Sequence, residues 1–122
     1  MTLLLTAGKA NEFAAEWIEA WNSHDLSRIL SHYSDEIVFS SPLLASVGGI
    51  ASGSLRGRDA LGMYFSAALS KFPNLRFELH NVFHGTDALT IVYRSVNDLE
   101  AAETMVLSDE LRVKRVWAQY DK

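Results

Sequence analysis

Apolar residues recur at spacings of three and four in three segments, residues 11–21, 26–33 and 59–72. This is the period of an amphipathic helix, in which the apolar positions form one stripe along the helix surface. Asp25 or Ser23 is placed to cap the second of these helices. The pattern therefore predicts two short helices at the start of the chain and a third near its middle.

Strand patterns occupy most of the remaining chain. Residues 37–39 are β-branched or aromatic, and apolar and polar residues alternate along residues 75–80 and 89–94. Residues 100–107 and 111–120 follow after short polar turns. The order predicts one strand between the second and third helices, and then an antiparallel meander of four strands.

The predicted architecture follows from this order. Because all three helices precede the meander, the sheet has to curl around them to cover their apolar stripes. We therefore predict an α+β fold in which a cone-shaped, curved antiparallel sheet packs on three N-terminal helices and encloses a pocket. Residues 43–56 are rich in Ser, Gly and Ala and are predicted to form a long loop that partly closes this pocket.

Apolar residues are also predicted on the outer face of the sheet, where a solvated sheet would carry polar ones. They are Val82, Val92, Val96 and Trp117. This pattern favours a homodimer formed through the outer sheet face. A monomer with scattered apolar surface residues is the alternative.

Composition limits the possible partners. Hydrophobic residues make up 48% of the 122 residues, which suits one domain spanning residues 1–122. The net charge is −4 and no basic cluster occurs, so neither nucleic acid nor an anionic membrane surface is an expected partner. The run Leu3–Leu5 is too short for a signal segment, and no apolar run is long enough to span a bilayer. A soluble, cytoplasmic protein is expected.

Metal and cofactor motifs are missing from the sequence. There is no cysteine, and the four histidines lack the spacing of a metal site. His24 is assigned to the turn between the first helices and His84 to an exposed position. His80 is assigned to the surface, with a catalytic role as the alternative, and His32 to a helix surface, with the cavity mouth as the alternative. Glycine-rich residues 48–53 lack the following Lys-Ser/Thr of a phosphate loop, and no nucleophile elbow occurs. No metal and no cofactor are predicted.

Glu103 is the main candidate for catalysis. It lies in a predicted strand among apolar residues, namely Ala101, Ala102, Met105 and Val106. If it faces the pocket, loss of hydration raises its pKa and suits it to general acid or base catalysis. If the register is shifted by one, it is a surface residue. Both orientations remain open at this point.

Candidate ligand-binding residues are large apolar side chains, most of them with one polar group that would orient a ligand. Each of them is also an ordinary core residue in the alternative interpretation. Arg56 and Arg58 flank Gly57, where they would hold an anionic ligand or form solvated salt bridges. The candidate pocket residues are Trp17, Tyr33, Tyr64, Tyr93, Met105 and Tyr120.

Four longer segments form a recognisable set: FAAEWIEAWNSHDL (13–26), YSDEIVF (33–39), LRGRDAL (55–61) with the following Tyr64-Phe65, and FPNLRF (72–77). Together they resemble the nuclear-transport-factor-2-like superfamily, which has a cystatin-like α+β fold, and within it the SnoaL-like proteins. The resemblance covers nearly the whole chain. It is specific for the fold and implies little about the function, since this superfamily contains enzymes and binding proteins.

The ketosteroid isomerases of this superfamily imply roles for three positions. The resemblance places Trp17 where these isomerases have a hydrogen-bonding tyrosine, and Ser41 where they have an aspartate base. Glu103 falls near their protonated aspartate and near an acidic residue of SnoaL-type cyclases. Since serine is no base at neutral pH, the isomerase reaction of that kind is not expected.

Two classes of function follow. One is a cofactor-free isomerase, cyclase or dehydratase that acts on a small, largely apolar substrate in a central pocket. The other is a non-catalytic ligand-binding or dimerisation module.

Overall fold

The computed structural model describes residues 4–46 and 48–122, which form helices packed on a six-stranded sheet. The helices are α1 (Ala7–Ser23), α2 (Leu26–Leu30), α3 (Pro42–Ser46) and α4 (Arg58–Lys71). The strands are β1 (Tyr33–Ser40), β2 (Ser54–Arg56), β3 (Glu78–His84), β4 (Ala88–Arg94), β5 (Glu100–Leu107) and β6 (Val113–Tyr120). The predicted α+β class is confirmed, and α1, α2 and α4 are the three predicted helices.

Polar side chains define the helix boundaries at the start of the chain. The Thr6 hydroxyl accepts a hydrogen bond from the Lys9 amide and begins α1. His24 adopts a left-handed conformation (φ 61°) and ends it. The Asp25 carboxylate then accepts from the Arg28 amide, so Asp25 is the cap of α2. These caps turn the chain sharply and bring α2 back against α1.

The sheet is mixed rather than wholly antiparallel. Its strand order is β2-β1-β6-β5-β4-β3, and β1 lies parallel to β6. The meander from β3 to β6 is antiparallel, as predicted. The prediction is wrong for β1 because its sequence pattern contains no information on the direction of its neighbour, which is about 80 residues away.

The predicted long loop at residues 43–56 is also wrong in part. It contains most of α3 and all of β2, which pairs with β1 at the edge of the sheet. Leu44 is fully buried, and its carbonyl oxygen accepts a hydrogen bond from the Ile50 amide. Backbone N–H and C=O groups that are buried against a domain need hydrogen-bond partners. Those of this segment pair within the segment and with β1.

The start of the meander differs from the alternating pattern. Leu75 and Phe77 are buried as predicted, but they precede β3, which begins at Glu78. A bulge between Leu79 and Asn81 shifts the register of the residues that follow, and Leu79 itself is 37% exposed.

No helix within the described ranges 4–46 and 48–122 is long and apolar enough to cross a membrane.

The N-terminal leucine run is described only in part, because Leu3 lies outside these ranges. Leu5 is buried, and its amide donates a hydrogen bond to the Thr86 carbonyl oxygen at 2.8 Å. The cytoplasmic location stays a prediction.

Two of the four residues predicted for the outer face lie elsewhere. Because of the bulge, Val82 is opposite the buried Ile91 and belongs to the inner face. Val96 lies in the turn after β4 and packs against the core. Val92 and Trp117 do lie on the outer face. Trp117 is 42% exposed, and the Arg115 guanidinium lies over its ring.

The homodimer stays a prediction, and Trp117 provides its test. Burying a carboxylate at a dimer interface without a partner is costly, so Trp117→Glu is expected to weaken a dimer through this face roughly 30-fold or more. Met63→Glu is the control, because Met63 is 77% exposed on α4, away from the sheet. Sedimentation equilibrium measures both. A monomeric wild-type protein, or equal effects of the two variants, would contradict the prediction.

Candidate active site

A cavity of about 340 Å³ lies between α4 and the inner face of the sheet. Its walls are mostly aromatic and aliphatic, and Phe39, Phe65 and Phe77 form much of them. The cavity extends from the buried Glu103 on β5 to the exposed Lys71 and Asn97. This arrangement suits a small, largely apolar molecule with polar contacts at its two ends.

The register of β5 decides the orientation of Glu103. Ala101, Glu103 and Met105 alternate with residues that face outward, and all three are buried. Glu103 is 5% exposed and lines the cavity. Of the two orientations left open by the sequence, the structure has the inward one, and β4 and β6 determine it by pairing on both sides.

Within the described part of the chain, the Glu103 carboxyl group has one hydrogen-bond partner. The Tyr93 hydroxyl donates to Glu103 Oε1 at 2.6 Å, and Oε2 is buried without a partner among the described residues. Burial raises the pKa of Glu103 to about 7, because the charged form loses its hydration, and the Tyr93 hydrogen bond opposes this shift. Near neutral pH the carboxyl group therefore both takes up and releases a proton.

Three tyrosines line the cavity with Glu103, namely Tyr64, Tyr93 and Tyr120. Burial raises the pKa of each phenol, and the nearby negative charge of Glu103 raises it further. The phenols consequently stay protonated at neutral pH, and Tyr64 and Tyr120 are available as hydrogen-bond donors to a ligand, whereas the Tyr93 hydroxyl already donates to Glu103. These three are candidate ligand-binding residues that the structure brings together at the cavity wall.

Trp17, Tyr33 and Met105 are placed in the core instead. All three are almost completely buried, and none lines the cavity. Trp17 Nε1 donates to the Tyr33 hydroxyl at 2.9 Å, and its ring stacks on Phe77. The Trp17 ring contacts Trp21, Phe77 and Tyr93, which line the cavity, so Trp17 supports the cavity wall from behind.

Ser41 does not line the cavity either. It is buried, and its hydroxyl accepts a hydrogen bond from the Leu43 amide at 3.1 Å. This places it at the start of α3 as a capping residue. The position that the resemblance assigns to an isomerase base therefore has a structural role here.

The histidines lie outside the cavity. His80 and His84 are exposed as predicted, and the Nε2 of His24 lies 2.8 Å from the Leu75 carbonyl oxygen. The prediction for His32 is wrong: its ring is buried against Phe13, and its Nδ1 lies 3.0 Å from the Arg28 carbonyl oxygen. The turn after α2 folds it inward, which helix periodicity does not show.

The charged candidates, Arg56 and Arg58, also lie away from the cavity. Arg58 forms an ion pair with Asp35 at 2.6 Å, and Arg56 lies on the exposed edge strand β2. Neither lines the cavity. Within residues 4–46 and 48–122, no group of three or more histidine, aspartate or glutamate side chains is arranged to hold a metal ion.

Sequence reasoning did not assign the phenylalanines of the cavity wall to the site, and it missed Trp21, Lys71 and Asn22 as well. Trp21 and Lys71 line the cavity, and Asn22 holds the segment that carries Phe77. Trp21 lies one helical turn after Trp17 on the same stripe, and that spacing was a usable signal. Lys71 and Asn22 each lie next to a predicted helix end, where polar residues are common and carry no specific signal.

Comparisons with known proteins agree with this architecture. Residues 14–114 match the family model of the SnoaL-like domain. No protein of curated function matches the chain.

Among solved structures, a SnoaL-like protein of unknown function from Burkholderia thailandensis is 39% identical, with a TM-score of 0.93. That match covers 98% of this chain and 99% of the other. An NTF2-like protein of unknown function from Cytophaga hutchinsonii is 13% identical, with a TM-score of 0.72, over 99% and 95% of the two chains.

An epoxide hydrolase/cyclase-like enzyme, SalBIII, which acts in pyran ring formation in the polyether salinomycin, is 16% identical. Its TM-score is 0.75, and the match covers 93% of this chain and 91% of that enzyme. The two matches of lower identity show the fold alone. The family model and the Burkholderia protein carry the assignment, and the chain belongs to the SnoaL-like family.

Proposed function

We propose that this protein is an enzyme that binds a small, largely apolar molecule in the cavity and transfers a proton to or from it through Glu103. The single observation that carries the proposal is a carboxyl group buried in an apolar cavity and held by one phenol, Tyr93. The reaction classes that it suits are isomerisation, cyclisation and dehydration, which all need proton transfer.

The chemistry of Glu103 supports this role. A general acid–base group works best when its pKa lies near the operating pH, and burial brings the pKa of Glu103 to about 7. In its ionised form the carboxylate removes a proton from the substrate. The resulting acid then returns the proton to another atom of the substrate or to a leaving hydroxyl group.

The tyrosines supply the complementary interaction. Tyr64 and Tyr120 line the same cavity as neutral phenols, and each is able to donate a hydrogen bond to a carbonyl or hydroxyl oxygen. Such donors stabilise negative charge that develops on oxygen when a neighbouring proton is removed. The similarity to an epoxide hydrolase/cyclase-like enzyme supports the proposal at the level of the fold.

A nuclear magnetic resonance titration tests the state of Glu103. The side-chain carboxyl signal of isotope-labelled protein is expected to titrate near pH 7, and Glu103→Gln assigns it. Because the Tyr93 hydroxyl stabilises the carboxylate, Tyr93→Phe is expected to raise the midpoint further. Tyr64→Phe is the control, since the Tyr93 hydroxyl bond remains in it. A midpoint near 4.5 in the wild-type protein would contradict the proposal.

Proton transfer itself is measurable without knowledge of the natural substrate. We would follow deuterium uptake at the α-carbon of β-tetralone, a small apolar ketone, in deuterium oxide. The wild-type protein is expected to accelerate the exchange, with a rate that rises with pH through the pKa of Glu103, and Glu103→Gln is expected to abolish the acceleration.

A non-catalytic ligand-binding module is the second candidate. Glu103 is the only carboxyl group among the described residues that line the cavity, so a paired acid and base of carboxyl type does not occur there. Ketone binding with equal exchange rates in the wild-type protein and in Glu103→Gln would overturn the catalytic proposal and favour this candidate.

A further inference from the structure

We infer that the ligand of this cavity carries an anionic group, a carboxylate or a phosphate, at its outer end, and that Lys71 and Arg76 hold this group. The inference rests on the proposed binding role of the cavity and adds the class of ligand. It does not depend on whether Glu103 transfers a proton.

A surface groove of about 360 Å³ adjoins the outer end of the cavity. Six residues line both spaces, so the two lie next to each other. They come from the end of α4, from the segment that follows it and from the turn between β4 and β5. These shared residues are Lys71, Phe72, Leu75, Ser95, Val96 and Asn97.

The charged side chains that line the groove are cations. Lys71 and Arg76 line it, and no aspartate or glutamate of residues 4–46 and 48–122 does so. The Lys71 ammonium lies 5.8 Å from the centre of the Phe72 ring, which places it at the junction of cavity and groove. Neither cation forms an ion pair with a carboxylate of the described chain, whereas the neighbouring Asp98 pairs with Arg94 at 3.3 Å.

The helix end at this point accounts for only part of the positive charge. Lys71 lies in the last turn of α4, where a cation offsets the partial negative charge of the helix end. That partial charge is about half an elementary charge, whereas the two side chains together carry two. Arg76 follows the helix by five residues and has no helix end to compensate. The positive charge that the helix end does not offset is available to the anionic group of a ligand.

The inner end of the cavity determines the orientation of the ligand. Among the described residues that line the cavity, Glu103 is the only one with a carboxyl group, and it is buried among apolar and aromatic residues. An anion at that end would lose its hydration next to a group that also ionises, which is doubly unfavourable. At the mouth, the anion keeps part of its hydration and meets two cations and the amides of Asn74 and Asn97. The apolar body of the ligand then extends toward Glu103.

A series of probes with one common tail tests the inference. Decanoate, decyl phosphate and decanol would displace the neutral fluorescent reporter N-phenyl-naphthylamine from the full-length protein at about pH 6, where Glu103 is mostly protonated. Both anions are expected to bind more tightly than decanol. Lys71→Gln and Arg76→Gln are each expected to weaken the anions about three- to fivefold and to leave decanol unchanged. The relative affinity of the two anions distinguishes a carboxylate from a phosphate site.

Two control variants locate the effect. Lys114→Gln removes an exposed cation on β6, outside the groove, and is expected to leave all three affinities unchanged. Ala68→Trp fills the cavity from α4 and is expected to reduce the binding of the reporter and of all three probes.

The outcomes separate this inference from the proposed function. Equal affinities for anions and decanol, or anion binding that survives both Lys71→Gln and Arg76→Gln, would overturn the anionic class and leave the proton-transfer proposal standing. Probe binding and ketone exchange that are both unchanged in Ala68→Trp would overturn both proposals, because neither process would then use the cavity. Preferential anion binding without ketone exchange would support this inference and reject catalysis.

Discussion

Glu103→Gln is expected to gain about 3 kcal/mol in free energy of unfolding relative to the wild-type protein as the pH rises from below 4.5 to above 7. The folded-state pKa of Glu103 is raised from 4.5 to about 7, so the folded protein binds the proton more tightly than the unfolded chain does. The contribution of the neutral carboxyl group to stability is therefore complete at low pH and is lost as the pH rises through this window. Each pKa unit corresponds to about 1.4 kcal/mol.

Urea denaturation at a series of pH values measures this effect, and the difference between the variant and the wild-type protein cancels the titration of other groups. Among these is His80, whose pKa is raised by its hydrogen bonds to Glu100 and Glu78. Glu12→Gln is the control, because Glu12 is exposed on α1. A constant stability difference across the pH range would show that the Glu103 carboxyl group is hydrated in the folded protein.

Asn22→Ala is expected to lower the free energy of unfolding by about 2–4 kcal/mol. The Asn22 side chain pairs with both backbone groups of Phe77: its amide nitrogen donates to the carbonyl oxygen at 3.0 Å, and its oxygen accepts from the amide at 2.7 Å. Alanine leaves both backbone groups of a buried residue without these partners. Since Phe77 lines the cavity and packs on Trp17 and Trp21, the loss also loosens the site.

Asn11→Ala on the exposed face of the same helix is the matched control, and its expected effect is within about 0.5 kcal/mol of zero. Amide hydrogen exchange gives a local readout, in which the Phe77 amide loses protection in Asn22→Ala and keeps it in Asn11→Ala. An unchanged Phe77 amide in Asn22→Ala would show that this side chain does not hold the segment.

The sequence predicted the elements whose local pattern is strong. Three helices, the meander and the burial of most apolar positions follow from periodicity, because a stripe or an alternating face has to be covered wherever the chain goes. The Asp25 cap is equally local, since its partner amide is three residues away. The resemblance to SnoaL-like proteins was carried by such local segments, and the family match confirms it.

Features that depend on distant strands were not predicted. The parallel pairing of β1 with β6 and the short strand β2 are determined by neighbours that the local pattern does not identify. The bulge after Leu79 moved Val82 to the inner face, because one additional residue reverses every later side chain of a strand.

The candidate site shows the same division. The sequence by itself determined that Glu103 lies in an apolar strand and that several aromatic residues carry polar groups suited to a pocket. Only the tertiary structure decided that Glu103 faces inward, that Tyr93 donates to it, and that Trp17 and Tyr33 lie behind the cavity wall. The physical reason is that composition and periodicity describe how a side chain relates to its own element, whereas a pKa, a hydrogen bond and a cavity arise between elements that only folding brings together.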